Sequence, residues 1–274
     1  MNITFIGGGN MATALIGGLL QQGMPPAQLC VVEIDEASRT KIRAVWGVKA
    51  VATLAEIAAG GEADSGAVVL AVKPQHLAQV AAELAPLLKN QLVVSIAAGI
   101  RAPDISRWLG NYARVVRAMP NTPALIRAGI TGLYALPGVS AEEKKNAEMI
   151  LGAVGQVLWL EQEDMLDAVT AVSGSGPAYV FYFIEAMQQA ALELGFSDAQ
   201  ARQLSLQTFL GAAQLAAQSA EPAAQLRANV TSKGGTTERA LNEMETAQIK
   251  PHFVAAIRAA QARAQQMGDE LGKT

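Results

Sequence analysis

Cysteine and histidine are nearly absent from this chain of 274 residues. The only cysteine, Cys30, lies in the apolar run 29–32 and is predicted to be a buried strand residue. His76 and His252 stand alone, without the clustered cysteine and histidine side chains that bind a metal ion. The sequence therefore predicts neither a disulfide scaffold within one chain nor a metal site.

Charged residues are scarce as well, at 16% of the chain, and the formal net charge is −3 with no run of basic residues. Binding to nucleic acid or to an anionic membrane surface relies on clustered Lys and Arg, so neither partner is expected. No apolar run reaches the roughly 20 residues of a membrane-spanning helix. An apolar strand is predicted from residue 2, which argues against a signal peptide. We expect a soluble protein of the cytoplasm.

Aliphatic residues dominate instead: 51% of the chain is hydrophobic although only 5% is aromatic. At roughly 150 residues per domain, the length favours two domains. Continuous apolar runs such as Ala67–Val72 are typical of strands covered on both faces of a parallel sheet. The pattern predicts a doubly wound α/β domain over residues 1–160, with strands at 2–6, 29–33, 48–51, 66–72, 91–96, 113–118, 130–135 and 155–160, and helices beginning near Met11, Glu36, Pro74, Pro103 and Ala141.

The character of the chain changes after Glu161. Residues 161–274 are predicted to form an all-helical second domain, with helices at 163–172, 177–195, 198–217, 236–246 and 250–271. The helix that contains Pro177 has only a narrow polar stripe, and an apolar surface this wide needs cover on most sides. The sequence therefore predicts self-association through the helical domain.

A glycine motif follows the first predicted strand directly. Gly7, Gly9 and Ala12 form a G-x-G-x-x-A pattern between that strand and a helix, which is the arrangement of a dinucleotide-binding turn. Gly7 permits the tight turn, Gly9 leaves room for a pyrophosphate, and Ala12 lets the helix pack closely. Free N–H groups at the helix N-terminus bind phosphate well. An ordinary structural turn at the start of an α/β domain is the alternative.

In an open α/β sheet, ligands bind beyond the carboxyl ends of the strands. Small residues and prolines follow several of the predicted strands, which lets a cofactor lie against backbone, although the prolines also suit ordinary strand-to-helix turns. The candidate cofactor residues are Ile6, Gly7, Gly8, Gly9, Asn10, Met11, Glu33, Ala71, Val72, Lys73, Pro74, Ala97, Ala98, Gly99 and Asn121.

Glu33 bears on the choice of cofactor. It lies 21 positions after Ala12, close to the roughly 20 expected for a carboxylate that binds the adenosine ribose diol. A carboxylate there accepts hydrogen bonds from the 2′-hydroxyl and repels a 2′-phosphate, which weakly favours NADH over NADPH. Asp35 is an alternative ribose partner or the N-cap of the next helix, and Arg39 is a candidate to approach a phosphate.

Two segments of the helical domain combine glycine with hydroxyl residues. Ser173–Tyr179 predicts a glycine/serine turn that leads into a helix with Pro177 in its first turn. In Asn229–Glu238, adjacent glycines precede a helix that begins near Thr236. The N–H groups there, with the hydroxyls of Ser232 and Thr237, suit a small anion such as a carboxylate. A simple threonine helix cap is an equally good interpretation.

Together these segments resemble pyrroline-5-carboxylate reductase. Each motif is modest alone, but their order and spacing are specific and extend over nearly the whole chain. The matching segments are Phe5–Ala12, Ala71–Pro74, Ser95–Gly99, Arg117–Pro123, Val172–Tyr179 and Ser232–Thr237.

The resemblance implies reduction of the cyclic imine 1-pyrroline-5-carboxylate to L-proline, the last step of proline biosynthesis, by NADPH or NADH. It implies a Rossmann domain followed by a helical dimerisation domain, with the dimers forming a larger ring. Thr237 would hydrogen-bond the ring nitrogen and Ser232 would contact the substrate carboxylate. The implied substrate residues are Val230, Thr231, Ser232, Gly234, Gly235, Thr236 and Thr237.

Three residues depart from the family pattern. Lys233 stands where the family usually has proline, and Glu33 and Asp35 stand where it often has small polar or basic residues.

Two other functions are alternatives. A β-hydroxyacid dehydrogenase would need a lysine where this chain has Val180, which leaves alcohol oxidation without its base. A dinucleotide sensor without catalysis is the alternative outside enzymes.

Overall fold

The computed structural model describes residues 1–59 and 66–273, which form two compact units. The first unit comprises Met1–Ser175 and the C-terminal stretch from Ala260, and the second is Gly176–Ala259. The contacts between residues divide the chain after Ser175. The predicted boundary between two domains at residue 160 stays a prediction. In the part of the chain that is described, no helix is both long and apolar enough to cross a bilayer.

An eight-stranded sheet forms the centre of the first unit. Its strand order is β3-β2-β1-β4-β5-β6-β7-β8, and all neighbouring pairs are parallel except β6 and β7. The chain adds β2 and β3 on one side of β1 and β4 on the other, so the direction of winding reverses between β1 and β4. The strands are β1 (Ile3–Ile6), β2 (Leu29–Val32), β3 (Lys49–Val51), β4 (Ala67–Leu70), β5 (Leu92–Ser95), β6 (Val115–Met119), β7 (Gly129–Ala135) and β8 (Gly155–Trp159).

Helices connect most of these strands, as parallel pairing requires. β6 and β7 are joined instead by a short 3₁₀ segment, Thr122–Ile126, which is too short for a crossover and leaves β7 antiparallel to β6. The helices of this unit are α1 (Asn10–Gln21), α2 (Glu36–Trp46), α3 (Leu54–Ala59), α4 (Pro74–Leu84), α5 (Ala102–Trp108), α6 (Ala141–Gly152) and α7 (Met165–Val169).

Two hydrophobic clusters cover the two faces of the sheet. Successive residues of a strand point to opposite faces, so Phe5 of β1 packs with the cluster that contains Leu15 of α1, while Ile6 packs with the cluster that contains Leu77 of α4. Every residue of β1, β2, β4 and β5 is buried. This double cover explains why the strand sequences are continuously apolar.

The second unit is helical. It contains α8 (Gly176–Glu193), α9 (Asp198–Gln218), α10 (Ala223–Asn229), α11 (Thr236–Thr246) and the first part of α12 (Ile249–Leu271), whose remainder belongs to the first unit. Ser197 begins α9 with a capping box, in which its hydroxyl accepts from the Gln200 N–H and the Gln200 side chain accepts from the Ser197 N–H. Phe253 of α12 packs edge-on against Tyr179 and Phe183 of α8.

The predicted doubly wound sheet and helical domain are confirmed, with a few corrections. The glycine/serine turn predicted at Ser173 is wrong, because Thr170–Gly174 forms a π-helical turn in which the Ser175 N–H donates to the Thr170 carbonyl at 2.8 Å. A Cβ at Gly174 would lie 2.6 Å from Met119 Cε, which is the end of a flexible side chain. The predictions omitted α3 and α10, which are only 6 and 7 residues long.

Candidate active site

The glycine loop lies at the point where the winding of the sheet reverses. Gly7 follows β1 with φ of +102°, in the region that favours glycine. A Cβ at Gly7 would lie 2.7 Å from the carbonyl oxygen of Ala71, which follows the neighbouring strand β4. The turn therefore needs glycine both for its backbone conformation and for its close approach to the next strand.

Gly9 leaves open space in front of α1. It is the N-cap of that helix, has no side chain to cap it, and a Cβ there would have no atom within 4 Å. The first N–H groups of a helix have no partner within the helix and carry partial positive charge. This arrangement fits the pyrophosphate of a dinucleotide, which Gly9, Asn10 and Met11 would bind through backbone N–H groups.

The Glu33 carboxylate is bonded to the glycine loop. Its Oε2 accepts from the Gly8 N–H at 2.7 Å, and its Oε1 accepts from the Asp35 N–H at 2.9 Å. The residue follows β2 directly and is half-buried. Since each carboxylate oxygen has a second lone pair, Glu33 retains the capacity to accept hydrogen bonds from ribose hydroxyls.

Asp35 and Arg39 have local partners. Asp35 is the N-cap of α2 and accepts from the Ser38 N–H at 2.7 Å, so the helix-cap alternative is the one the structure shows. Hydrogen bonds from Ser38, with a smaller contribution from Arg39, hold the pKa of Asp35 below its ordinary value. The Arg39 Nη1 donates to the carbonyls of Glu33 and Ile34 at 2.8 and 2.7 Å.

The segment after β4 leads directly into a helix, and the loop after β5 consists of small residues. Lys73 precedes α4 in extended conformation, and Pro74 occupies the first helical position, where its missing N–H costs nothing. Ala97 is buried, and Gly99 has φ of +75°. A Cβ at Gly99 would lie 3.2 Å from Leu271 Cδ1, because the end of α12 packs against this loop.

Asn121 has structural partners for both ends of its amide. Its Oδ1 accepts from the Ile130 N–H at 3.0 Å, and its Nδ2 donates to the Ser173 carbonyl at 3.2 Å. The side chain thereby ties the segment after β6 to the start of β7 and to the π-helical turn. A direct cofactor contact by Asn121 stays a prediction.

The sheet brings the predicted cofactor residues to one edge. Parallel strands that are neighbours end at the same side, so the segments after them converge. These segments are Ile6–Met11 at β1, Glu33 at β2, Ala71–Pro74 at β4, Ala97–Gly99 at β5 and Asn121 at β6. Sequence reasoning missed Ile42, whose Cδ1 would lie 2.7 Å from a Cβ at Gly8. Its signal in the sequence is the apolar face of α2.

The loop between α10 and α11 is closed by its own backbone and by Glu238. Gly234 has φ of +74°, and its N–H donates to Glu238 Oε2 at 2.7 Å. The Gly235 N–H donates to the Ser232 carbonyl at 3.0 Å. Thr231 is tied back to α10 by hydrogen bonds to the carbonyls of Ala228 and Arg227. These bonds fix the loop and turn it into the start of α11.

The hydroxyls of this loop do not cap the helix. Gly235 is the N-cap of α11, and no side chain caps it, so the threonine-cap interpretation is wrong. Thr237 is half-buried, Ser232 and Lys233 are exposed, and the side chain of Val230 is exposed. Within the described residues, the hydroxyls of Ser232 and Thr237 have no hydrogen-bond partner. They remain available to a ligand beside the N–H groups of Thr236 and Thr237, which have no partner within the helix.

Both parts of the chain match known protein families. Residues 2–99 match the model described as NADP oxidoreductase, coenzyme F420-dependent. Residues 163–267 match the model described as pyrroline-5-carboxylate reductase dimerisation. The second match covers the helices α8 to α11 and most of α12, and the first covers the glycine loop and Glu33.

Individual relatives extend this similarity over the whole chain. A pyrroline-5-carboxylate reductase of Pseudomonas aeruginosa is 47% identical over 99% of this chain and 98% of its own length. The structure of a pyrroline-5-carboxylate reductase from Coxiella burnetii is 42% identical, with a TM-score of 0.91 over 97% of this chain and 98% of that one. A Plasmodium falciparum pyrroline carboxylate reductase with NADP bound is 28% identical, with a TM-score of 0.86 over 98% of each chain. The chain therefore belongs to the pyrroline-5-carboxylate reductase family.

Proposed function

We propose that this chain reduces the imine 1-pyrroline-5-carboxylate to L-proline with a reduced nicotinamide cofactor, in the last step of proline biosynthesis. The observation that carries the proposal is the glycine loop, with Gly7 packed against the Ala71 backbone and Gly9 open in front of α1. Such a loop at a reversal of winding is built for a dinucleotide. Membership of the family specifies the imine as the acceptor.

Imine reduction asks little acid–base chemistry of the protein. A protonated C=N bond accepts hydride readily, and the bound cofactor supplies that hydride, so the chain contributes mainly orientation. We assign to the Thr237 hydroxyl a hydrogen bond with the ring nitrogen. Ser232 and the N–H groups at the start of α11 bind the carboxylate, where the helix terminus favours negative charge. Lys233 adds positive charge beside this loop.

The preferred cofactor in this proposal is NADH. The Glu33 carboxylate, held after β2 by the Gly8 and Asp35 N–H groups, is placed to accept bonds from a ribose diol and to repel a 2′-phosphate. The name of the family model for residues 2–99 and the Plasmodium falciparum structure both point to NADP in relatives. The residue at position 33 of this chain is the reason for the opposite preference.

Self-association in the cytoplasm completes the proposal. Phe181 and Tyr182 of α8 are 64% and 69% exposed, although large aromatic side chains usually find cover. The dimerisation model covers this helix. We propose a dimer formed through the helical unit, and rings of such dimers. Light scattering after gel filtration would measure the oligomer, and a monomer at micromolar concentration would contradict this part.

The reaction is tested by steady-state oxidation of NADH and of NADPH with 1-pyrroline-5-carboxylate as the acceptor. We expect rapid turnover and a higher kcat/KM for NADH. Folded protein that oxidises neither cofactor would refute the reductase assignment. A higher kcat/KM for NADPH would leave the reaction in place and refute only the cofactor preference.

The role of Thr237 is tested by replacing its hydroxyl with a methyl group. Thr237→Val keeps the shape of the side chain but cannot hydrogen-bond the ring nitrogen, so we expect kcat/KM for the imine to fall by about tenfold to a hundredfold. Thr237→Ser keeps the hydroxyl and should retain most activity. Thr246→Val is the matched control in the last turn of α11. Equal activity of Thr237→Val and the wild-type chain would exclude the proposed role.

A further inference from the structure

We infer that Glu33 is a positioning residue of the glycine loop, in addition to the carboxylate that meets the cofactor ribose. The inference rests on the proposed use of a nicotinamide dinucleotide. It assigns to one side chain two separable effects, on the order of the loop and on the choice of cofactor.

Two hydrogen bonds make Glu33 a bridge across the loop. Its Oε2 accepts from the N–H of Gly8, 25 residues away in the sequence, at 2.7 Å, and its Oε1 accepts from the Asp35 N–H at 2.9 Å. Gly8 is the middle residue of the Gly7–Gly9 turn. A hydrogen bond to a charged acceptor is shorter and stronger than one between neutral groups, so the carboxylate holds the turn before any ligand binds.

The surroundings of Glu33 leave its carboxylate little freedom. The Arg39 Nη1 fixes the backbone just after β2 by donating to the carbonyls of Glu33 and Ile34. A Cβ at Gly8 would lie 3.2 Å from Glu33 Oε2 and 2.7 Å from Ile42 Cδ1. A methyl group at position 8 would therefore crowd the carboxylate that accepts from the Gly8 N–H.

This arrangement links the affinity of the loop for a dinucleotide to the choice between NADH and NADPH. A loop that is ordered in advance costs less entropy to order when the pyrophosphate binds. Removing the Glu33 charge relieves repulsion of a 2′-phosphate but also releases Gly8. We therefore expect substitution of Glu33 alone to change the NADPH/NADH ratio mainly by weakening NADH, and to yield a poor NADPH-binding protein.

Hydrogen exchange in the cofactor-free protein tests the bridge directly. In Glu33→Met and Glu33→Ala, a peptide that contains Gly8 should take up about one additional deuteron at short times, since neither side chain offers the Gly8 N–H a strong acceptor. Glu36→Met is the matched control, because it removes the same charge three residues further on and no hydrogen bond to the glycine loop. Glu33→Met keeps most of the length of the side chain if Glu33→Ala does not fold.

A double-mutant cycle tests whether Glu33 acts through Gly8. The methyl group of Gly8→Ala would point at Glu33 and Ile42, and the backbone of Gly8 lies outside the positive-φ region. If each of Gly8→Ala and Glu33→Met weakens NADH binding about tenfold, independent effects would multiply to about a hundredfold. We expect the double variant to lose only about tenfold to twentyfold, because the second change removes a bond already broken.

Either of two results overturns the inference. One is unchanged exchange of the Gly8 peptide in both Glu33 variants, and the other is a multiplicative loss of NADH affinity in the double variant. Binding is measured by calorimetry without the imine. Failure of the proposed reductase activity, with NADH still bound, is therefore distinguishable from failure of the bridge.

Discussion

Arg117 is a buried cation of the first unit that pairs with two carboxylates. It lies in β6 with a side chain only 3% exposed, and its Nη1 is 3.1 Å from Glu163 Oε1 while its Nη2 is 3.4 Å from Asp167 Oδ1. The substitution Arg117→Met keeps much of the side-chain volume and removes the charge. Asp167, which is 2% exposed, then loses its nearest cation.

The expected loss in the free energy of unfolding depends on the partners that each carboxylate retains in Arg117→Met. Removing one partner of a buried ion pair typically costs about 3–5 kcal/mol, because a buried charge is left uncompensated. Glu163 keeps the hydrogen bond from the Ala102 N–H at 2.5 Å, and Asp167 keeps the Arg101 guanidinium at 3.9 Å. These remaining partners place the expected loss at the lower end, about 3 kcal/mol.

Urea unfolding followed by circular dichroism measures this loss, at one protein concentration because self-association shifts apparent stability. Arg239→Met is the matched control, since Arg239 pairs with Glu243 at the surface with side chains 81% and 66% exposed. Such pairs contribute about 0–1 kcal/mol. We expect Arg117→Met/Asp167→Asn to recover part of the stability. A loss below about 1 kcal/mol in Arg117→Met would refute the reasoning.

Two further predictions concern the glycine loop and the start of α2. Gly7→Ala should lower both the melting temperature and the affinity for NADH, because a Cβ would lie 2.7 Å from the Ala71 carbonyl oxygen. Gly9→Ala should fold normally and lose NADH affinity by more than about tenfold, because its methyl group fills only the space of the ligand. Calorimetry and thermal melts separate the two variants, and equal melting temperatures would contradict the prediction for Gly7. Since the pKa of Asp35 is lowered in the folded chain, its hydrogen bond to Ser38 stabilises the protein above the unfolded pKa of about 3.9 and is lost as the pH falls through the folded value. Asp35→Asn should therefore lose less stability than the wild-type chain on acidification below about pH 4, and identical pH profiles would exclude this contribution.

The positions of the strands were readable from the sequence because burial on both faces demands uninterrupted apolar runs. The run 66–72 predicted β4, observed at Ala67–Leu70, and the run 91–96 predicted β5, observed at Leu92–Ser95. The antiparallel direction of β7 was not part of that signal. It follows from the short 3₁₀ connection Thr122–Ile126, which offers no crossover helix.

The roles of single glycines were also only partly predictable from the sequence. Glycine at 7 and 9 was predictable from spacing, since a tight turn and an approaching ligand both exclude side chains. Ser173–Tyr179 also has the composition of a turn, but Gly174 lies in the π-helical turn Thr170–Gly174, which sequence alone does not show. A glycine within a helical turn and a glycine in a tight turn therefore give the same signal in the sequence.

Hydrogen-bond partners of polar side chains were the least predictable part of the site. The spacing placed Glu33 at the ribose, but it carried no information on the Gly8 N–H, because that contact depends on how β1 and β2 are aligned. Register pairs Ile6 with Val32, so the residues that follow these two strands, Gly7 and Glu33, start side by side. An acidic residue at this position is therefore within reach of the loop itself. Its effect on a cofactor includes the order of the loop and cannot be assigned from charge alone.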